Sequence, residues 1–133
     1  MPSSNFTKWH EFKVHLADRT EIPHFRTREI WWTHIGQNIG NEQNGKGPRF
    51  TRPVLIVHKF NDSFFYGIPT STTPNSGPYY WPITIAGKPT KLLLSQLRAF
   101  DARRLQNRID NLPEPEFALV QSQIAKALGL QPK

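Results

Sequence analysis

Four consecutive apolar residues, Val54-Leu55-Ile56-Val57, lie in the middle of a β-type run from Arg52 to Phe60. Successive side chains of a strand point to opposite faces, so an unbroken apolar run leaves no face for water. A strand of this kind must be covered on both sides. The chain has 133 residues, enough for one domain, so the covering material has to come from a sheet that curls or from helices laid against it.

The neighbouring pattern favours the first solution. From Arg28, Ile30, Trp32 and His34 alternate with Trp31, Thr33 and Ile35, as a strand would. A polar segment from Gly36 to Thr51 with four glycines and Pro48 reads as a loop. Asn61-Asp62 reads as a tight turn, with Phe64 to Ile68 as the returning strand. Thr70 to Pro78 reads as a loop, and Tyr79–Ile85 with Thr90–Leu94 as a strand pair across Ala86-Gly87-Lys88. After Gln96 come a short extended piece and a helical turn near Asp101 to Gln106. Pro113 and Pro115 open a final helix, Glu114 to Leu128, with Phe117, Val120, Ile124 and Leu128 on one face and Glu114 and Glu116 at its positive end. At the other terminus, Asn5 to Leu16 suits a short helix with Phe6, Trp9, Lys13 and Leu16 on one side, and Ala17 to Arg26 a linker. Short strands without βαβ alternation, closed by one helix, predict a mainly β, small barrel-like domain over residues 26–133, with residues 1–25 as an N-terminal helical extension.

Charge is concentrated where the strands are. Between Gln43 and Phe100 seven basic residues face one carboxylate, Asp62, so this segment holds +6 of the chain's net +7. A positive centre between balanced flanks suits a polyanion, and a solvated basic face with no partner is the plain alternative. A reader of DNA grooves would show a basic helix, which this block does not resemble. The absence of cysteine excludes disulfides, iron–sulfur clusters and thiolate catalysis, and fits a cytoplasmic protein. Residues 1–20 mix charges throughout and show no signal-peptide core. The uncharged stretch Ser63–Gly87 carries four prolines, which no transmembrane helix would hold, so no membrane association is expected.

Four segments in order carry a family resemblance. They are Arg28-Glu29-Ile30-Trp31-Trp32, the loop Gly40-Asn41-Glu42-Gln43-Asn44-Gly45-Lys46 leading to Arg52-Pro53-Val54, the stretch Ile68-Pro69-Thr70-Ser71-Thr72, and Ser95-Gln96-Leu97-Arg98-Ala99-Phe100-Asp101 followed by Arg103-Arg104-Leu105. Together they resemble the MazF/PemK toxins over roughly Arg26 to Leu128. The resemblance implies an SH3-like barrel that pairs into a homodimer. It also implies a metal-independent, cofactor-free endoribonuclease that cuts single-stranded RNA at short motifs and is blocked by an antitoxin with an acidic tail.

Cleavage of that kind uses the RNA's own 2′-hydroxyl as nucleophile. The protein must help remove its proton, stabilise the phosphate oxygens and protonate the leaving oxygen. A guanidinium suits the phosphate because its fork of donors matches two oxygens and stays charged. The family's functional arginine corresponds to Arg52, and its hydroxyl to Ser71 with Thr72 beside it, or to Thr70 after a one-residue shift. Glu42 would orient Arg52 or take a proton, or else hold the glycine-rich loop through backbone amides. Lys46, Arg49, Phe50, Lys59 and Arg98 are the residues expected to bind RNA. Asn41, Leu93 and Ser95 stand where some relatives carry His, Arg and an acid, so any proton transfer those groups perform must come from elsewhere in this chain.

Structural roles compete for the remaining candidates. His34 and His58 lie among apolar strand residues, where a partly buried, hydrogen-bonded imidazole is expected rather than an acid–base pair. Of the adjacent aromatics Trp31-Trp32 and Tyr79-Tyr80-Trp81, alternation sends some rings into the core and leaves others to stack on bases. Two other functions share these features: a same-fold CcdB-like poison of DNA gyrase, and a non-catalytic nucleic-acid-binding barrel.

Overall fold

A computed structural model describes residues 2–36, 51–73 and 77–130. Helix α1 (Pro2–Ala17) is followed by β1 (Glu29–His34), β2 (Thr51–Asn61), β3 (Phe64–Ser71), β4 (Tyr80–Ile85), β5 (Lys88–Leu93), β6 (Arg98–Asp101), β7 (Leu105–Asn111) and helix α2 (Glu114–Ala127). The strands form one curled antiparallel sheet in the order β4-β5-β3-β2-β1-β7, with β6 also paired to β3.

The apolar run of β2 explains the curl. Leu55 packs with Ile30, Ile68, Leu92 and Leu112 on one side of the sheet, where α2 adds Phe117, Val120 and Ile124. Val54 and Ile56 point the other way, into a second core with Phe25, Trp31, Phe65, Phe100 and Leu105. Val54, Leu55 and Ile56 are all buried, and Val57 is partly buried against the first core. Close approach requires a glycine beside them. An added Cβ on buried Gly67, which pairs with Ile56 and Arg98, would lie 2.6 Å from Val54 Cγ1.

Helix α1 seats Trp9 and Leu16, with Phe12 partly buried between them. Phe6 is exposed, so the buried stripe runs through Phe12 rather than through Phe6 and Lys13. Hydrogen bonds fasten the helix to the barrel: Arg103 Nη1 donates to the Ala17 carbonyl at 2.9 Å, and Arg19 Nη1 to the carbonyls of Arg103 and Leu105. Arg103 is itself held by Asp101, whose carboxylate accepts from its Nε and Nη2 at 2.9 Å each.

Several boundaries differ from those read in the sequence. Thr70 and Ser71 belong to β3, not to a loop, because they pair with Leu92 and Lys91 of β5. The β4–β5 turn is only Ala86-Gly87, so β5 begins at Lys88. β7 was not read at all: the helical turn expected to Gln106 is a short 3-10 turn over Ala102–Arg104, and the chain then pairs with β1. Its pattern Leu-Gln-Asn-Arg-Ile-Asp-Asn lacks alternation because two register shifts interrupt the pairing. Leu128 caps α2 and is 56% exposed instead of packing with Ile124. His58 is exposed, edge-on to the Phe60 ring at 4.8 Å, while His34 is buried against Phe12 as expected.

Two outcomes follow from this packing. Gly67→Ala is expected to destabilise the fold by about 1–3 kcal/mol through overpacking against Val54, measured as a lower urea midpoint at unchanged slope. The hydrogen bonds from Arg103 hold the Asp101 carboxyl below its ordinary pKa. A depressed acid contributes stability above the unfolded-state value of about 4 and loses it as pH falls through the folded-state value. Urea midpoints should therefore drop below about pH 4, with a smaller drop in Asp101→Asn.

Candidate active site

Arg52 sits near the start of β2, opposite Thr33 of β1, where the sheet curls. Its Nη1 donates to the Thr70 carbonyl of β3 at 3.3 Å. The guanidinium is half-buried, and that burial lowers its pKa from the usual arginine value. An arginine begins so far above neutrality that it stays protonated, so the site offers a fixed, partly desolvated positive charge.

That charge borders a cavity of about 570 Å³. One wall is formed by β1, β2 and β3, which contribute Trp32, Pro53 and the alcohols of Thr70, Ser71 and Thr72. The facing wall is the β4–β5 hairpin, from Ile85 to Thr90, joined by Ile109 of β7. The alcohols differ in availability. Thr70 is buried, with Oγ1 donating to the Pro53 carbonyl at 3.0 Å. Ser71 is 5% exposed, and its Oγ lies 3.0 Å from Thr73 Oγ1 and accepts from the Thr73 backbone N–H at 3.2 Å. Thr72 is exposed at the end of the strand.

The sequence-derived site is thus partly assembled in space. Arg52, Ser71 and Thr72 share one cavity. Glu42, Lys46, Arg49 and Phe50 lie outside the described residues. Lys59 and Arg98 do not line the cavity. Lys59 Nζ donates to the Phe25 carbonyl at 2.9 Å, pairs with Asp62 at 3.3 Å and sits over the Phe25 ring. The Arg98 guanidinium lies over the Phe100 ring, 4.6 Å from its centroid. Of the paired tryptophans, Trp31 is core and Trp32, 38% exposed, faces the cavity. Lys88, Thr90 and Ile109 also line it and were not singled out from the sequence. Only the hairpin register and β7, neither fully legible in the residues, bring them there.

Chemically, the cavity combines a cation suited to a phosphate, alcohols able to donate to its oxygens, and flat apolar surfaces suited to a ring. Its lining includes no carboxylate or imidazole among the described residues. Among those residues there is also no group of three His, Cys, Asp or Glu side chains placed to hold a metal ion. No described helix is long and apolar enough to cross a membrane. Thr70→Val keeps the shape but leaves the Pro53 carbonyl without its donor, so a loss of about 1 kcal/mol is expected in urea unfolding.

Residues 26–128 match the family model described as PemK-like, MazF-like toxin of type II toxin-antitoxin system. No curated protein matches the sequence. Among solved structures, the chain resembles MazF from Deinococcus radiodurans, with a TM-score of 0.66 at 20% identity over 82% of this chain and 98% of that one. An endoribonuclease in complex with its cognate antitoxin from a mycobacterial species gives 0.63 at 13% identity, over 84% of this chain and 99% of that one. The Mycobacterium tuberculosis toxin MazF-mt6 gives 0.62 at 16% identity, over 79% and 100%. At these identities the likeness is one of fold.

Proposed function

The chain belongs to the PemK-like, MazF-like toxin family of type II toxin–antitoxin systems, and we propose that it is a metal-independent, sequence-specific endoribonuclease acting on single-stranded RNA in the cytoplasm. The observation that carries this reading is the half-buried Arg52 guanidinium in one cavity with the alcohols of Ser71 and Thr72.

In the proposed reaction the substrate's 2′-oxygen attacks the adjacent phosphorus and the bond to the 5′-oxygen breaks. The products are a 2′,3′-cyclic phosphate and a 5′-hydroxyl. Arg52 holds the non-bridging oxygens, where negative charge grows, and its positive charge costs no reorganisation during the step. The exposed Thr72 hydroxyl donates to the same phosphate, and Ser71 keeps the strand end in place. Glu42 is assigned to orienting Arg52 or accepting the 2′-proton, and the departing 5′-oxygen takes its proton from water. Lys46, Arg49, Phe50, Lys59 and Arg98 are assigned to carrying the flanking strand by phosphate pairing and stacking. Residues 26–133 form the toxin domain and residues 1–25 an extension docked on it. Homodimerisation, and inhibition by an antitoxin with an acidic tail, complete the reading. A resembling endoribonuclease has been solved with its cognate antitoxin, which supports the partner assignment.

Purified protein incubated with a long single-stranded RNA in EDTA should cut it at a few sites, with the product ends given above. Arg52→Ala is expected to slow cutting by about 10²–10³-fold, the usual effect of removing one donor to a developing oxyanion, while circular dichroism stays close to wild type and stability falls by no more than the one lost hydrogen bond to Thr70, about 1 kcal/mol. Binding without cutting would favour a nucleic-acid module, and neither binding nor cutting a poison of another target. Wild-type cutting by Arg52→Ala would refute the assignment of Arg52.

A further inference from the structure

Among the described residues the curled sheet does not close on itself. β4 forms one outer edge and β7 the other. The β4–β5 hairpin pairs with the rest of the sheet only where Thr70 and Ser71 of β3 meet Leu92 and Lys91, and it is further held by Ile83, Ile85 and Leu92 in the core shared with Leu55 and by Thr90 Oγ1, which donates to the Ser71 carbonyl at 3.1 Å. Yet its tip supplies the wall of the cavity that faces Arg52, through Ile85, Ala86, Lys88, Pro89 and Thr90. Buried side chains hold the strands of the hairpin, and a polar contact fixes the turn at their tip.

Asp110 of β7 does so across the gap between the two edges. Its Oδ2 accepts the backbone N–H of Ala86 at 2.9 Å, while its Oδ1 accepts the N–H of Asn111 at 2.8 Å. The neighbouring Ile109 lines the same cavity. Ala86 is one of two non-glycine residues with positive φ among the described residues, at +49°, and Gly87 follows at +80°. Both central residues of the turn are therefore left-handed, a conformation that alanine adopts only at a cost. An alanine is kept there with its N–H aimed at a carboxylate on the opposite edge of the sheet.

We propose that Asp110 is a positioning residue that latches the β4–β5 hairpin across the open edge of the sheet. The latch fixes the width of the Arg52 cavity so that it takes the exposed base of an unpaired strand and refuses a duplex. This inference rests on the RNA-cutting reading of the same cavity. In duplex RNA the bases are stacked and paired inside the helix, whereas an unpaired base can turn outward to lie on a ring such as Trp32. A hairpin held close admits the single flat ring, and a hairpin set loose removes that restriction.

The test compares Asp110→Ala with Asp110→Asn, whose single acceptor oxygen keeps the bond to Ala86 only by giving up the one to Asn111. Amide hydrogen exchange at Ala86, followed by NMR, reads the latch without RNA. Exchange should quicken by about tenfold in Asp110→Ala, the size expected for one lost hydrogen bond, and by less in Asp110→Asn. With single-stranded RNA, Asp110→Ala should raise KM by about three- to tenfold with kcat little changed, and Asp110→Asn should raise it less. An uncleavable 2′-O-methyl strand, alone and annealed to its complement, should show the preference for the unpaired form shrinking in Asp110→Ala. Unchanged exchange at Ala86 or an unchanged strand preference in Asp110→Ala would overturn the latch. Failure of the wild-type protein to bind or cut RNA would instead overturn the nuclease reading, while the exchange measurement still decides the latch.

Discussion

Burial of β2 on both of its faces is the constraint to which the other elements answer. Leu55 must be covered on one side, and Val54 and Ile56 on the other. One layer of helix can serve only one side. Helix α2 takes the side of Leu55, and the sheet bends to supply the other from Phe65 and Phe100 of its own strands. The bend leaves room at the start of β2 for a residue that is neither core nor surface. Arg52 occupies that place, close enough to the interior to lose some hydration and close enough to solvent to meet a ligand.

The alcohols beside it show how a site is made from residues that also hold the fold. Thr70 spends its hydroxyl on the Pro53 carbonyl, the group that a strand beginning Arg-Pro presents to its neighbour. Ser71 is bound up with Thr73 at the end of β3. Thr72, one residue further, has left the pairing and is exposed. Three adjacent hydroxyl residues therefore grade from structural to available within a single strand end. A spacing argument cannot rank them, because the grading depends on where β3 stops.

The same limit separates what was legible from what was not. Strand β2 is legible through its unbroken apolar run, α2 through a periodic buried face, and Arg52 through the Arg-Pro-Val that it begins. β7 is not, since it is a polar strand with two register shifts and no alternation to display. With β7 unread, Ile109 and Asp110 could not be placed beside the hairpin, and the facing wall of the cavity went unseen. His58 was misjudged because the apolar run around it ends one residue earlier than its neighbours suggest, past a shift in pairing between Ile56 and His58. Trp32 was foreseen as one of an in-and-out pair, but which ring faced outward depended on the direction of curl.

The helix that precedes the matched domain leaves a mark inside it. The Trp9 ring occupies the space beside Gly36, where an added Cβ would stand 2.0 Å from the indole, and Gly36 has a φ of +79°. The tryptophan and the glycine are therefore a matched pair, one outside the family's shared segment and one within it. A relative that carries any larger residue at the end of its first strand has no seat for this indole. In this chain one glycine thus serves both a left-handed turn of the backbone and the docking of the N-terminal helix.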